Sequence, residues 1–171
     1  VTHPKVRKIV FTGSTEVGKS IMAGCADQVK RVTLELGGKS ANVIFADSDI
    51  EKAAANAPGA VFDNAGQDCC ARSRILVEKS AFDTFMAAFE VAVKKFRVED
   101  PSLATSEMGP MISAKQKAAV EKYLDESVAF TGSAPSGPGF WLPPTVLMPT
   151  STKSKAWNEE IFGPVVSVMT F

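Results

Sequence analysis

Short apolar segments alternate with helical segments along most of the chain, and this alternation constrains the fold more than any other feature. Predicted strands at 8–11, 42–45 and 75–77 are each followed by a predicted helix. Further strands are predicted at 31–36 and 128–131. Because neighbouring parallel strands need a crossover connection, usually a helix, the pattern predicts an α/β fold with a mainly parallel sheet flanked by helices.

Several predicted helices begin at residues typical of N-caps. Capping boxes start at Ser48 and at Ser113, and the second predicts a helix over about 114–127. Pro58 is expected to break or kink the helix that follows the first box. Ser80 is expected to cap a further helix. Apolar residues in that helix recur at spacings of three and four, which indicates core packing: Phe82, Phe85, Met86 and Phe89.

The charge balance and the hydropathy of the chain point away from nucleic acid and membranes. Nineteen basic residues balance nineteen acidic ones, and no Lys/Arg stripe with interleaved aromatic residues appears, so nucleic acid is not an expected partner. No apolar run approaches the ~18–20 residues that cross a bilayer, and the N-terminus shows no signal-peptide pattern. We expect a cytoplasmic protein without a membrane partner.

Both ends of the chain resemble cut points. The sequence starts at Val1 rather than Met, and the apolar run 165–171 has no polar tail. A length of 171 residues suits one domain with part of another. A fragment of a longer protein is therefore expected.

The three cysteines are expected to be reduced. Cys69 and Cys70 are adjacent, which is an awkward arrangement for a disulfide framework, and the total is odd. Cys25 lies on a predicted helix and is expected to be a small buried hydrophobe. His3 is the only histidine. A metal site built from cysteine and histidine therefore has too few ligands, and none is predicted.

A glycine-bearing turn between the first predicted strand and its helix is a candidate anion site. The segment 11–19 would aim backbone N–H groups and the positive end of a helix dipole at a ligand. It lacks the three-glycine dinucleotide pattern and the Walker pattern. Taken alone, the segment is also explained by an ordinary strand-to-helix turn.

Glu35 is a candidate general base. It lies among apolar neighbours at the end of a predicted buried strand, and burial there would suit a general base. The alternative is a glutamate that faces solvent or pairs with Lys39.

The segment 64–74 is the candidate nucleophile site. Gly66 allows a tight turn, and a thiol on an exposed turn can be activated by positive charge or by amide dipoles. Cys69 occupies that place, whereas Cys70 is expected to point toward the core. Because the single histidine lies near an end of the chain, the base must be a carboxylate or a water relayed by one. Glu35 is the candidate for that role.

These segments resemble the signature sequences of the aldehyde dehydrogenase superfamily. The stretch 34–41 is similar to its glutamate active-site signature, and 62–73 is similar to its cysteine signature. The segment 11–18 resembles its nicotinamide-cofactor turn. Further similarity covers nearly the whole chain, through Glu107 to Pro110, Pro144 to Val146 and Glu159 to Val165.

The resemblance implies an NAD(P)+-dependent oxidation of a small-molecule aldehyde to a carboxylic acid. Cys69 would attack the carbonyl, the thiohemiacetal would pass hydride to NAD or NADP, and Glu35 would activate water to hydrolyse the thioester. Cofactor contacts are implied at Gly13, Ser14, Gly18, Leu36, Gln116, Glu160 and Phe162.

The resemblance also implies how the chain divides. Residues 1–36 would be the last strand-helix-strand portion of the NAD(P)-binding domain, and residues 37–171 a cysteine-bearing catalytic domain truncated at its C-terminus. The family's adenosine-ribose lysine, oxyanion asparagine and oligomerisation strand lie outside these residues, so the chain alone is expected to be inactive. The parent enzyme would be a homodimer or homotetramer. Asp68 beside the nucleophile is consistent with a cationic aminoaldehyde substrate, and neutral aldehydes remain open.

Two other functions remain open. A non-catalytic relative could keep the fold and act as a structural or binding domain, although a scaffold has no need for both Cys69 and Glu35. Alternatively, the thioester could pass to coenzyme A rather than to water. Relatives of that type generally lack the glutamate, so Glu35 favours hydrolysis.

Overall fold

The computed structural model describes residues 1–124 and 127–171. The chain forms two compact units, Val1–Gly38 and Lys39–Phe171, whereas the predicted division lay after Leu36. The larger unit contains a mainly parallel sheet, and helices alternate with strands along the chain. The predicted α/β fold class is therefore confirmed.

The first unit is a strand-helix-strand motif. Strands β1 (Lys8–Thr12) and β2 (Arg31–Glu35) are parallel neighbours, and helix α1 (Thr15–Ala26) connects them. The hydroxyl oxygen of Ser14 accepts a hydrogen bond from the backbone N–H of Val17 at 3.3 Å. This N-cap starts α1 directly after the glycine-bearing turn.

Helix α1 approaches the end of β2 closely at Gly18. A Cβ atom at Gly18 would lie 2.7 Å from Cδ2 of Leu36, so the absence of a side chain allows this approach. Cys25, on the same helix, is 2% exposed, which confirms that it is a small buried hydrophobe.

The second unit is built on a sheet with the strand order β3-β4-β7-β6-β5. Its neighbouring strands are parallel except for β5 and β6, which are antiparallel. The strands are β3 (Ala41–Ile44), β4 (Arg74–Val77), β5 (Val128–Thr131), β6 (Thr145–Leu147) and β7 (Val165–Thr170).

The central strand β7 was not predicted from the sequence. It is buried from Val165 to Val168 and pairs with β4 on one side and β6 on the other. Ser167, the polar residue within that buried stretch, donates its hydroxyl hydrogen to the carbonyl oxygen of Ala156 at 3.0 Å. This bond satisfies a polar group that would otherwise be buried alone.

Helices cover the sheet of the second unit. Helices α2 and α3 pack against each other. Phe85 and Phe89 of α3 are fully buried, which confirms the predicted aromatic core face. The helices are α2 (Ile50–Phe62), α3 (Phe82–Lys95), α4 (Ala114–Glu121) and the short α5 (Lys155–Asn158).

Asp49, rather than Ser48, caps helix α2. Its carboxylate accepts from the N–H of Lys52 at 3.0 Å, while the Ser48 hydroxyl donates to the carbonyl of Phe45 at 2.6 Å. A carboxylate at the N-terminus also gains from the helix dipole, which favours Asp49 over its neighbour. Helix α2 continues through Pro58, so of the predicted break or kink the break is wrong.

Ser80 does not cap helix α3. A 3-10 turn, Lys79–Ala81, precedes the helix, and the Ser80 hydroxyl lies 3.1 Å from a carboxylate oxygen of Glu78, to which it donates. Ala81 stands at the N-cap without a side-chain bond. The predicted cap is therefore wrong: the Ser80 hydroxyl bonds to Glu78, and Ser80 lies one residue before the N-cap position.

The predicted cap of helix α4 is confirmed, and its predicted length is not. The Ser113 hydroxyl oxygen accepts from the N–H of Gln116 at 3.1 Å. The helix ends at Glu121, short of the predicted end near 127. Residues 125 and 126 of that prediction lie outside the described residues.

None of the helices among the described residues combines the length and the apolar character that crossing a bilayer requires.

Candidate active site

A left-handed turn follows helix α2 and leads to the candidate nucleophile. Asn64, Ala65 and Gly66 have φ angles of 51°, 55° and 66°. A Cβ atom at Gly66 would lie 2.0 Å from the carbonyl oxygen of Gly163, a distance that no side chain tolerates. Glycine is therefore required here, both for its backbone angle and for its contact with the segment before β7. We refer to residues 64–71 as the nucleophile turn.

The side chain of Gln67 connects the nucleophile turn to the loop before helix α4 through a hydrogen bond. Its side-chain oxygen accepts from the N–H of Ile112 at 3.1 Å. The side-chain amide of Asn64 donates to the carbonyl of Gln67 at 2.9 Å, which closes the turn on itself. The backbone that carries Cys69 is thus held from two directions.

The two adjacent cysteines are placed differently from the prediction. Cys69 is half-buried and Cys70 is exposed, so the expected core position of Cys70 is wrong. The side-chain carboxylate of Asp68 accepts from the N–H of Cys70 at 3.0 Å. The backbone carbonyl of Asp68 accepts from the N–H of Ala71 at 3.1 Å. These two bonds tighten the turn and leave the Cys70 side chain on an open groove that Arg72 also lines.

The surroundings of Cys69 within the chain favour its neutral thiol. Its Sγ lies 3.8 Å from Sγ of Cys70, in contact as a hydrogen-bond pair. The hydrogen bond and charge of Cys70, followed by the smaller effects of burial and of the Asp68 carboxylate, raise the pKa of Cys69. The causes of this shift include no cation, so the described residues do not supply the positive charge that could activate the thiol.

Glu35 and the predicted cofactor turn lie together in the first unit. The carbonyl of Glu35 accepts from the N–H of Gly13 at 3.0 Å, which joins the end of β2 to the turn before α1. Gly18 and Leu36 are in the close approach described above. The Glu35 side chain is exposed, so its expected burial is wrong.

Gln116 holds the loop that carries two other predicted cofactor residues. Its side-chain amide donates to the carbonyl of Phe162 at 3.0 Å and to that of Ile161 at 3.4 Å. Phe162 has a φ angle of 55° and is 39% exposed, and Glu160 is also exposed. Gln116 is therefore engaged in hydrogen bonds within the described residues. Glu160 and Phe162, in the loop that it holds, are the side chains accessible to a ligand.

Lys39 and Arg74 form a cationic cluster that the sequence prediction missed. The Arg74 guanidinium donates to the carbonyl of Lys39 and lies 5.7 Å from the centroid of the Trp157 ring. The Nζ of Lys39 is buried without a hydrogen-bond partner among the described residues. Burial and the nearby Arg74 charge lower the pKa of Lys39 to about 8, against the opposing effects of Glu160 and Glu159.

Tyr123 is the only tyrosine, so its ionisation can be measured directly. Burial, together with the hydrogen bond of 2.7 Å that its hydroxyl donates to Glu159, raises the pKa of Tyr123 to about 12. The folded chain keeps a proton that the unfolded chain loses near pH 10. Its contribution to the free energy of unfolding is therefore present below pH 10 and lost as the pH rises to about 12. We expect an ultraviolet titration of phenolate absorbance to show this raised midpoint.

The control for this titration is Glu159→Gln. This substitution removes the negative charge beside the Tyr123 hydroxyl and leaves the burial of Tyr123 unchanged. The midpoint of the Tyr123 titration should therefore fall only part of the way toward 10. A wild-type midpoint at 10 would contradict the Tyr123–Glu159 contact.

Comparisons with known proteins match the whole chain. The sequence model of the aldehyde dehydrogenase family matches residues 1–171. An aldehyde dehydrogenase of Emericella nidulans is 39% identical and covers 99% of this chain, which corresponds to 36% of that protein. A betaine aldehyde dehydrogenase of Bacillus subtilis is 40% identical over 95% of this chain and 35% of its own length.

Solved structures agree with the sequence matches. A betaine aldehyde dehydrogenase from Staphylococcus aureus, in complex with NAD+, has a TM-score of 0.91 at 40% identity and covers 99% of this chain. An aldehyde dehydrogenase from Bacillus cereus in an NAD+ complex has a TM-score of 0.92 at 37% identity, also with 99% of this chain covered. The chain spans 35% of the first of these structures and 36% of the second, about a third of each relative.

Proposed function

The chain belongs to the aldehyde dehydrogenase family, and from that premise we propose that it carries the nucleophile and the general base of an NAD(P)+-dependent oxidation of an aldehyde to a carboxylic acid. Cys69 is the nucleophile and Glu35 the base that activates water. Residues 1–36 belong to the cofactor-binding domain of the whole enzyme, and residues 37–171 to its catalytic domain.

The placement of Cys69 is the observation that carries this proposal. A structural cysteine is buried, as Cys25 is, whereas Cys69 is half-buried on a turn held by a glycine that no other residue could replace. A side chain that is not buried in the core, carried by a turn with left-handed backbone angles, is typical of a reactive group. Its raised pKa in this chain implies that the cationic or amide donors that activate the thiol come from elsewhere in the enzyme.

The chemistry needs the two residue types that the chain provides. The Cys69 sulfur forms a bond with the carbonyl carbon of the aldehyde, and after hydride loss it is the leaving group of the thioester. The Glu35 carboxylate takes a proton from the water that attacks this thioester. Its exposure in the first unit leaves it accessible to water.

A nicotinamide cofactor, when bound, supplies the hydride acceptor. The turn before α1 fits such a group, because the N-terminus of this twelve-residue helix offers positive dipole to a pyrophosphate. NAD+ is present in the solved relatives from Staphylococcus aureus and Bacillus cereus, which supports NAD+ here. The residues assigned to the cofactor are Gly13, Ser14, Gly18, Leu36, Glu160 and Phe162, with Gln116 acting through the loop that it holds.

The substrate assignment follows from charge. Asp68 is exposed and immediately precedes Cys69, so it places a carboxylate near an aldehyde bound at the sulfur. A cationic aminoaldehyde would gain from that charge, and the relatives that are betaine aldehyde dehydrogenases support the same class. We assign the whole enzyme as a cytoplasmic homodimer or homotetramer.

The test is a chimera in which this chain replaces the matched third of the Staphylococcus aureus relative. NADH formation with a betaine-type aldehyde and NAD+ is expected, and Cys69→Ala should abolish it while Cys25→Ala leaves it within about two-fold. Transfer to coenzyme A would appear as a thioester product instead of the acid. A folded chimera that binds NAD+ without any turnover would favour the structural or binding role.

The isolated chain is expected to be inactive. It corresponds to about a third of its relatives, and the resemblance places the second oxyanion donor and most of the cofactor domain in the remainder. Loss of one oxyanion donor alone slows a reaction by about 10²–10³-fold. Steady NADH production by the purified 171-residue chain would contradict this expectation.

A further inference from the structure

Asp68, Cys69 and Cys70 bring three metal-binding atoms together on the nucleophile turn. Their two sulfurs and one carboxylate oxygen all lie within 4.8 Å of one another. The two Sγ atoms are 3.8 Å apart. We propose that this triad is a binding site for a thiophilic d10 dication of the Zn²⁺ and Cd²⁺ class, held by both thiolates and by the Asp68 carboxylate.

The separation of the sulfurs suits a tetrahedral ion. Two Zn–S bonds of ~2.3 Å at a tetrahedral angle place their sulfurs roughly 3.8 Å apart, so the observed thiols need little rearrangement. A disulfide is disfavoured by the same geometry. Adjacent Cα atoms across a trans peptide are ~3.8 Å apart, below the usual ~4.4–6.8 Å of disulfides, and the described residues contain no cis peptide.

Asp68 can add an oxygen ligand while it keeps its contact within the turn. One of its oxygens accepts from the N–H of Cys70, and a carboxylate has acceptor capacity left for an ion. Three protein ligands leave one tetrahedral position for water. Asp68 and Cys70 line an open groove of about 240 Å³, which gives the ion and its water a path from solvent. The sequence prediction of no metal site counted only cysteine and histidine ligands and did not weigh the Asp68 carboxylate.

Binding exchanges protons for the ion without electron transfer. Two S–H bonds break, two metal–sulfur bonds form, and the two protons pass to solvent. The ion occupies the sulfur lone pair that Cys69 would use against an aldehyde. Metal binding and nucleophilic attack therefore exclude each other, whereas binding itself does not depend on the proposed function.

The experiment is a Cd²⁺ titration of the reduced 171-residue chain, followed by sulfur-to-cadmium charge-transfer absorbance and native mass spectrometry. We expect one ion per chain and displacement of cadmium by Zn²⁺. Cys69→Ser and Cys70→Ser should each weaken binding roughly 100-fold or more, and Asp68→Asn about 10-fold. Cys25→Ala, which removes the buried cysteine, should bind as the wild type does.

A second measurement is independent of the variants' folding. Stoichiometric Zn²⁺ should protect Cys69 of the wild-type chain from alkylation by iodoacetamide, and a chelator should restore the reaction. Absence of the charge-transfer band, its persistence in Cys70→Ser, or one ion per two chains would each overturn the site. Unprotected alkylation of Cys69 at saturating Zn²⁺ would do the same.

Discussion

Replacing Glu35 with glutamine in the chimera is expected to leave a single burst of NADH per active site and to lower the steady-state rate by about 10²–10⁴-fold. Hydride transfer needs only the thiohemiacetal on Cys69, whereas thioester hydrolysis needs a base to activate water. Glutamine keeps the size of the side chain and removes its basicity. The measurement is rapid-mixing kinetics of NADH absorbance, followed by mass spectrometry of the acylated chain.

Glu51→Gln provides the matched control, since Glu51 is an exposed glutamate in the first turn of helix α2. It should leave both the burst and the steady rate within about two-fold. If Glu35→Gln keeps the full steady-state rate, another group activates water. If it also removes the burst, Glu35 acts in the first half of the reaction and its assigned role is wrong.

Gly66→Ala is expected to lower the free energy of unfolding of the second unit by about 2–5 kcal/mol. An alanine at φ +66° is strained by ~1–2 kcal/mol. Its Cβ would also meet the carbonyl oxygen of Gly163 at 2.0 Å, and backbone must move to relieve this overlap, at a further ~1–3 kcal/mol. Urea unfolding followed by tryptophan fluorescence reports on this unit, because both tryptophans, Trp141 and Trp157, lie in it.

Gly59→Ala is the matched control within the same unit. Gly59 lies inside helix α2, and a Cβ there has open space within 4 Å. Alanine should therefore raise the free energy of unfolding by about 0.5–1 kcal/mol, through better helix propensity. Equal changes in the free energy of unfolding for Gly66→Ala and Gly59→Ala would show that the close contact between Gly66 and Gly163 does not contribute to stability.

Much of the fold could be predicted because its patterns are local. Strand β5 was predicted with its observed bounds, and Ser113 caps its helix as expected. Strand β7 was missed for a physical reason. A parallel strand buried on both faces lacks the alternation of polar and apolar residues that marks a half-buried strand, so its apolar run resembled the end of a cut chain.

The residues of the candidate site could be predicted where a sequence motif contains them. Their exposure and contacts could not be predicted where these depend on packing between distant segments. Cys69 and Glu35 stand out by their neighbours in sequence. The exposure of Cys70 depends on the two hydrogen bonds of Asp68, which no spacing rule reports. Lys39 was considered only as a partner for Glu35, yet its ammonium lies near Arg74, which is distant in sequence and becomes a neighbour only when β3 and β4 pair.

The central position of β7 has a consequence for the order of events during synthesis. Strands β3 and β4 form one half of the larger sheet, and β5 and β6 form the other, while β7, which joins them, follows all four in sequence. A ribosome therefore completes both halves before Val165–Thr170 is made. Until then β4 and β6 each present an open edge. Until β7 is made, these open edges can pair with strands of other chains, so the nascent chain is exposed to mispairing and aggregation.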